Sequence, residues 1–131
     1  MQVVFPWYPR ELSPNSRVHW AKLAKFKKDY RIAWWAIAAK ECRFINLPDG
    51  KISLTIEFYP PSRRHYDLDN CLASIKSGLD GLADALQIND RRFLLTVRMV
   101  EEVKGYIKVT IQERKRDETD HRDERGNGSN Y

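Results

Sequence analysis

Residues 63–70 read Arg-Arg-His-Tyr-Asp-Leu-Asp-Asn, two carboxylates and an amide directly behind a basic pair. In an extended segment, residues two apart point the same way, so Asp67 and Asp69 can converge on one hard cation while Leu68 turns toward the core. Mg²⁺ suits such a pair, because it takes oxygen ligands, keeps several waters and is usually held by one or two carboxylates together with substrate phosphates. A third acid, Asp90, follows in Asn89-Asp90-Arg91-Arg92. The first two acids also have a plainer use, since Asp just before an apolar-periodic run is a favoured helix N-cap. At about 100° per residue, positions 69, 73, 76 and 80 form one helical stripe, so Asp69, Lys76 and Asp80 can share a cleft opposite the leucine side. Lys76 reads either as a catalytic cation that stabilises charge developing on a phosphoryl group or as a solvated lysine paired with Asp80.

Cations surround these acids. Lys22, Lys25, Lys27, Lys28 and Arg31 populate the polar side of a first helix, Arg63 and Arg64 precede the acidic pair, and Arg91 and Arg92 follow Asp90. Cations flanking a carboxylate cluster let a phosphate approach it, so Arg63 and Arg64 are the leading candidates for contact with a phosphate backbone such as that of DNA, with Lys22, Lys25, Lys28, Arg91 and Arg92 as further candidates. His65 can touch phosphate or fill the loop, and the loop reading is preferred. Trp7, Tyr8 and Trp20 lie near the loop between the first strand and the first helix and could wedge against unstacked bases, although aromatics at this density more often build core. Trp34 is expected in the core and Trp7 is left open.

The elements that must position these residues can be read from periodicity. Gln2–Phe5 is a β-rich run stopped by Pro6 and Pro9, a plausible edge strand. From about Arg17, Leu23, Phe26, Tyr30, Trp34 and Ile37 recur at helical spacing, which predicts a long amphipathic helix ending near Cys42 to Asn46, before the turn at Pro48-Asp49-Gly50. Lys51–Tyr59 alternates apolar Ile52, Leu54, Ile56 and Phe58 with Ser53, Thr55 and Glu57, a half-buried strand closed by Pro60-Pro61. Leu72, Ile75, Leu79, Leu82 and Leu86 mark a second helix. Phe93–Glu102 and Tyr106–Gln112 then predict two strands paired as a hairpin through Lys104-Gly105. The expected fold is a small single α/β domain, strand-helix-strand-helix-strand-strand, with a mixed sheet and two helices.

At 131 residues with 42% hydrophobic and 11% aromatic side chains, the chain can build one modest core. Residues 1–113 are expected to form it. Residues 114–131 hold five basic and five acidic side chains and no apolar residue before Tyr131, which predicts a disordered charged tail. The formal excess of +5 therefore lies in the folding part and suggests a polyanionic partner, against the plain alternative of a generic protein of high pI. Cys42 and Cys71 stand in helical segments without metal-ligand spacing and read as buried thiols of a reducing compartment. Met1–Arg10 lacks a basic segment followed by an apolar stretch, and the longest apolar run, Ile32–Ala39, is far short of a membrane span. A soluble cytoplasmic protein with no membrane partner is expected.

The opening Phe5-Pro6-Trp7 followed by Pro9, the segment at residues 63–70, the helix containing Leu79-Asp80-Gly81-Leu82 and the acid at Asp90 together resemble the RusA Holliday junction resolvases of bacteria and their phages. The likeness runs from about Gln2 to Glu113. It implies a homodimeric, Mg²⁺-dependent enzyme that makes paired symmetrical nicks in four-way junction DNA during recombination and repair, with Asp67, Asp69 and Asp90 matching the family's catalytic acids. One position departs from the pattern. The family places a catalytic lysine one helical turn after the second acid, where this chain has Ala73. Lys76 lies a further turn along the same face, with its Cα about 4 to 5 Å farther along the axis, a gap its flexible stem can largely cover.

Two other readings use the same residues: a flap or restriction-like metal-dependent nuclease that shares the acids but not the substrate, and a non-catalytic DNA-binding module whose aspartates are caps. The sequence also poses a distance problem. One unbroken helix from Asp69 to Leu86 would be roughly 27 Å long and would carry Asp90 far from the other acids. Either the chain doubles back, with the helix stopping or bending near Gly78 and Gly81, or Asp90 enters the site from a dimer partner.

Overall fold

The computed structural model describes residues 1–115. The tail expected from Arg114 onward lies, beyond Lys115, outside the described residues. Strands β1 (Gln2–Pro6), β2 (Ile52–Tyr59), β3 (Phe93–Met99) and β4 (Tyr106–Ile111) form one mixed sheet in the order β1-β4-β2-β3. Helix α1 (Trp20–Glu41) follows β1, and α2 (Leu68–Ser74) and α3 (Lys76–Leu86) connect β2 to β3. Short 3-10 turns at Arg10–Leu12 and Asp90–Arg92 lie on the connections. The α/β class, the mixed sheet and the strand positions agree with the sequence reading, and β1 is an edge strand paired antiparallel to β4.

The expected hairpin does not form. β3 runs parallel to β2 at one edge, a pairing made possible by the α2–α3 crossover, while β4 lies antiparallel between β1 and β2. Between them the chain wraps round the end of β2: Val100 N–H donates to the Phe58 carbonyl, and Gly105 N–H to the Tyr59 carbonyl. Gly105 takes φ +80° at this turn, a conformation open to glycine. The two strands differ in burial accordingly: Ile107, Val109 and Ile111 of the inner strand β4 are buried, whereas Leu94 and Leu95 of the edge strand β3 are exposed.

The expected second helix is also two helices. Ser74 donates its hydroxyl to the Asn70 carbonyl at 2.6 Å, and Ile75 N–H turns to Leu72 O instead of continuing the α ladder. Such back-bonding bends helices. The break thus falls at Ile75 (φ −100°, ψ 8°) and not at Gly78 or Gly81. Those glycines have another role, since a Cβ on Gly81 would overlap the Arg31 carbonyl oxygen and one on Gly78 would meet the Trp34 indole.

One face of the sheet carries Phe5, Ile52, Leu54, Ile56, Phe58, Ile107 and Val109, all fully buried with Trp34, Ile75 and Leu82 from the helices. Trp34 stacks on Phe5 with ring centroids 3.9 Å apart, as its expected core position requires. Helix α1 starts at Trp20, later than Arg17, because the His19 imidazole caps it by accepting from Ala21 N–H at 3.2 Å. Its Tyr30, Trp34 and Ala38 recur at the one-turn spacing that puts them all on the core side. The opposite sheet face is polar, with Glu57 held between Arg98 and Lys108.

The α1–α3 contact leaves no room for a methyl group, so Gly81→Ala should destabilise the domain by about 2 kcal/mol through overpacking. Urea unfolding should show a lower midpoint with an unchanged slope, and Asp84→Ala, on the exposed rim of the same contact, should cost less.

Candidate active site

Asp67 ends the loop after β2 in an extended conformation (φ −79°, ψ 123°), and its carboxylate accepts from Asp69 N–H at 3.0 Å. It is the N-cap of α2. The two acids therefore do not lie side by side on an extended segment as expected from the sequence: Asp67 caps the helix and Asp69 sits in its first turn, where a negative charge also favours the helix dipole. Both are exposed, and Leu68 between them packs against the core as expected.

Lys76 opens α3. Its ammonium donates to Asp80 Oδ1 at 3.1 Å and to Asp90 Oδ2 at 3.0 Å. The Asp80 contact is the one-turn ion pair anticipated from spacing; the Asp90 contact joins residues fourteen apart. Helix α3 stops at Gln87 in the left-handed conformation (φ 57°), and Asn89 caps the 3-10 turn that starts at Asp90 by accepting from Arg91 N–H. The chain thus doubles back within one subunit and returns Asp90 to the face that carries Lys76. The Lys76 hydrogen bond and charge, helped by Arg91, hold the Asp90 carboxyl below its ordinary range. Asp90 and Asp80 in turn raise the lysine, keeping it a firm cation.

Two hollows flank this arrangement. Asp69, Leu72, Ala73, Lys76, Leu79 and Leu95 line one of about 410 Å³. The acid of the first turn and the lysine of the next helix therefore face a common space, across the position where Ala73 leaves room. Asp67 lies instead in a neighbouring hollow of about 360 Å³ with Trp7, Arg10, Arg64, His65 and Asn70. Among the described residues no group of three or more His, Cys, Asp or Glu side chains is placed to hold a metal ion. The fit to Mg²⁺ is thus partial. Asp67 and Asp69 offer exposed carboxylates that suit a mostly hydrated ion shared with a phosphate, whereas Asp90 is engaged by Lys76 and does not complete a three-acid set.

The basic candidates divide. Lys22 and Arg64 line a cleft of about 580 Å³, and Arg64 lies 4.7 Å over the Tyr66 ring. Arg63 faces the groove between its own loop and residues 99–104. Lys25 is paired with Asp29 at 2.9 Å, and Lys28 and Arg91 are exposed. Arg92 is partly engaged within the fold, because its guanidinium donates to the carbonyls of Gly50 and Pro48 at 2.7 and 2.6 Å and ties down the loop before β2. His65 is an exposed loop residue. Trp7 is partly buried, stacked on Tyr8 and edge-on to Tyr66, whereas Trp20 is 75% exposed and does not belong to the core. Sequence reading passed over Arg10, Arg17 and His19, which line the same cleft as Lys22 and Arg64. The available signal was two arginines bracketing the Ser13-Pro14-Asn15-Ser16 loop.

Cys42 and Cys71 are buried free thiols, and burial is the main cause that raises both. Tyr8 shares a 3.3 Å hydrogen bond with Cys71 and is itself raised chiefly by burial. Cys71 lies on α2 and Cys42 at the end of α1, and neither thiol is exposed. Among the described residues no helix is long and apolar enough to cross a membrane.

A small α/β domain with two exposed acids at a helix start and a lysine clamped between two further acids defines the class. No protein-family model matches the chain. It is 40% identical over 114 residues to an uncharacterized protein of Xylella fastidiosa strain Temecula1, an alignment covering 83% of this chain and 74% of that one. The chain belongs to the same family as that protein.

The Lys76–Asp90 contact has a direct test in titration. Asp90 is depressed by the lysine, so the charged contact is complete above the ordinary carboxylate range and is lost as pH falls through the depressed value. In Lys76→Met the Asp90 carboxyl carbon, followed by NMR, should titrate at higher pH than in the wild type. An unmoved Asp90 midpoint would show that the two groups do not pair in solution.

Proposed function

We propose that the protein is a Mg²⁺-dependent DNA endonuclease of the RusA type that resolves Holliday junctions, acting in recombination and repair. The observation that carries this reading is Lys76, bonded to Asp90 and Asp80 and facing the same hollow as Asp69. Acid and cation together at an exposed surface are what hydrolysis of a phosphodiester requires: oxygen ligands for a divalent ion, and a fixed positive charge for the phosphoryl oxygens. A bound Mg²⁺ would supply an acidified water and neutralise charge on the leaving oxygen. Asp67 and Asp69 would hold it with the scissile phosphate.

Lys76 takes the role that the resemblance assigns to a lysine at the Ala73 position. Asp80 and Asp90 aim its ammonium, which spares the reaction the cost of ordering a flexible side chain. Asp90 thereby acts on the reaction through Lys76 in its own chain, and joins the metal ligands only if substrate draws it from the lysine. Arg63 and Arg64, with Lys22, Lys28 and Arg91, supply the phosphate-binding surface. The exposed Leu94 and Leu95 of β3, at 51% and 42%, support a second copy as partner, because an open apolar edge strand is otherwise a liability. A two-fold dimer suits paired nicks in a four-way junction.

The test is cleavage in Mg²⁺ of a synthetic four-way junction beside flap, duplex and single-stranded DNA of matched sequence. The junction should be nicked symmetrically and preferentially; preferred cutting of flap or duplex would assign the acids to another nuclease class. Asp67→Asn and Asp69→Asn should each abolish cleavage while binding in EDTA persists, since each loses a ligand but gains no repulsion of phosphate. Lys76→Ala should slow cleavage by at least about tenfold, or roughly 1.4 kcal/mol, with binding retained. Turnover near wild type in either aspartate variant contradicts the metal assignment.

A further inference from the structure

The cleft beside the site holds more positive charge than a scissile phosphate needs. Arg10, Arg17, His19, Lys22 and Arg64 line it, with Glu11 as the opposing acid, 4.0 Å from Arg10. Arg17, Lys22 and Arg64 form no ion pair among the described residues. The cleft is continuous with the hollow of Asp67 and Asn70, because Arg10, Ser13, Asn15 and Arg64 line both. A row of cations therefore leads from the start of α1 to the first acid.

At the far end stands Trp20. It is 75% exposed, directly after the cap residue His19, whose ring centroid lies 5.5 Å from its own. His19 lines the cleft and Trp20 does not, so the cleft and the indole meet through the His19 ring. Water-exposed indole beside unpaired cations is the combination by which proteins hold unpaired nucleotides: phosphates follow the positive groove and a base stacks on the ring. A duplex keeps its base faces stacked inside and gives such a ring nothing to cover, which favours an unpaired strand as the occupant.

We propose that this cleft is a track for an unpaired DNA strand, with Trp20 as its base-stacking platform and Arg10, Arg17, Lys22 and Arg64 as its phosphate contacts, delivering the strand to Asp67. The choice of DNA rests on the nuclease reading above. The track makes strand opening next to the cut part of substrate recognition: a base leaving the duplex is captured on Trp20 while its backbone is drawn toward the acids.

The test uses the full chain in EDTA, with a fluorescein-labelled oligo-dT of about twenty nucleotides, a duplex of the same length and an oligo-U. Anisotropy should show oligo-dT bound at least about tenfold more tightly than duplex, with quenching of tryptophan emission. Trp20→Ala should lower oligo-dT affinity about tenfold and remove most of the quenching, leave duplex affinity unchanged, and melt at the wild-type temperature because the side chain is exposed. Trp20→Phe should retain most of the affinity, and the Arg17→Gln, Lys22→Gln double variant should flatten the salt dependence by about one and a half units of log–log slope. Equal binding of duplex and oligo-dT, or indifference to Trp20→Ala, would overturn the track; tighter binding of oligo-U would reassign it to RNA. Failure of the nuclease reading looks different. Oligo-dT binding through Trp20 with no cleavage of any DNA leaves the track and removes the enzyme, whereas junction cleavage without Trp20-dependent binding removes the track alone.

Discussion

The absence of a side chain at Gly81 sets the distance between the two long helices. The backbone of α1 at Arg31 approaches so closely that even a methyl group would overlap it, and Trp34 lies against Gly78 one turn earlier. Arg31 then reaches across the seam to Asp84 through two hydrogen bonds of 2.7 and 3.0 Å. This seam fixes the rotation of α3 about its own axis. Once Gly78 and Gly81 face α1, and Leu79 and Leu82 face the core, Lys76 and Asp80 must present their side chains outward on the remaining face. The left-handed residue that ends the helix turns the chain back along that face and delivers Asp90 to Lys76. A packing constraint inside the fold thereby orients the charged cluster at its surface.

The break at Ile75 has a similar reach. If α2 and α3 were one helix, Asp69 and Lys76 would stand about 10 Å apart along a common axis. Ending α2 after two turns lets Asp69 and Lys76 face one hollow while Asp67, pinned as the cap, faces the next. The same two turns keep Leu72 and Cys71 directed inward, so the acids project from a surface backed by packed apolar side chains. Lys76, placed between Asp80 and Asp90, offsets the repulsion that two carboxylates would otherwise exert on each other and on a nearby phosphate.

Much of this was legible in the sequence, and the failures share a cause. The period-two run from Ile52 to Phe58 and the helical repeat through Leu23, Phe26, Tyr30, Trp34 and Ile37 were readable because burial on one face leaves a periodic trace. Strand order leaves none: β3 and β4 carry similar alternation, and only the crossover geometry makes them non-neighbours. The helix break at Ile75 depends on a single hydroxyl bonding to a carbonyl four residues back, which composition does not announce. Arg92 looked equivalent to Arg91, yet one is partly engaged by two loop carbonyls and the other is exposed. Trp20 was indistinguishable from core aromatics because its exposure depends on where α1 starts. The acids were recognisable by type and spacing, but their grouping was not, since Asp90 is brought to Lys76 by a four-residue reversal with no periodic signature.

On the proposed nuclease reading, Asp67 and Asp69 hold a divalent ion together with a DNA phosphate, with Asp90 kept on Lys76. Two exposed carboxylates, one of them engaged as a helix cap, should bind such an ion weakly until phosphate oxygens complete its shell. Mn²⁺ binding, measured by electron paramagnetic resonance with and without an uncleavable phosphorothioate four-way junction, tests this directly. Affinity should rise at least about tenfold when the junction is added, and the rise should vanish in Asp69→Asn. Equal Mn²⁺ affinity with and without junction, or a gain that survives Asp69→Asn, would contradict it.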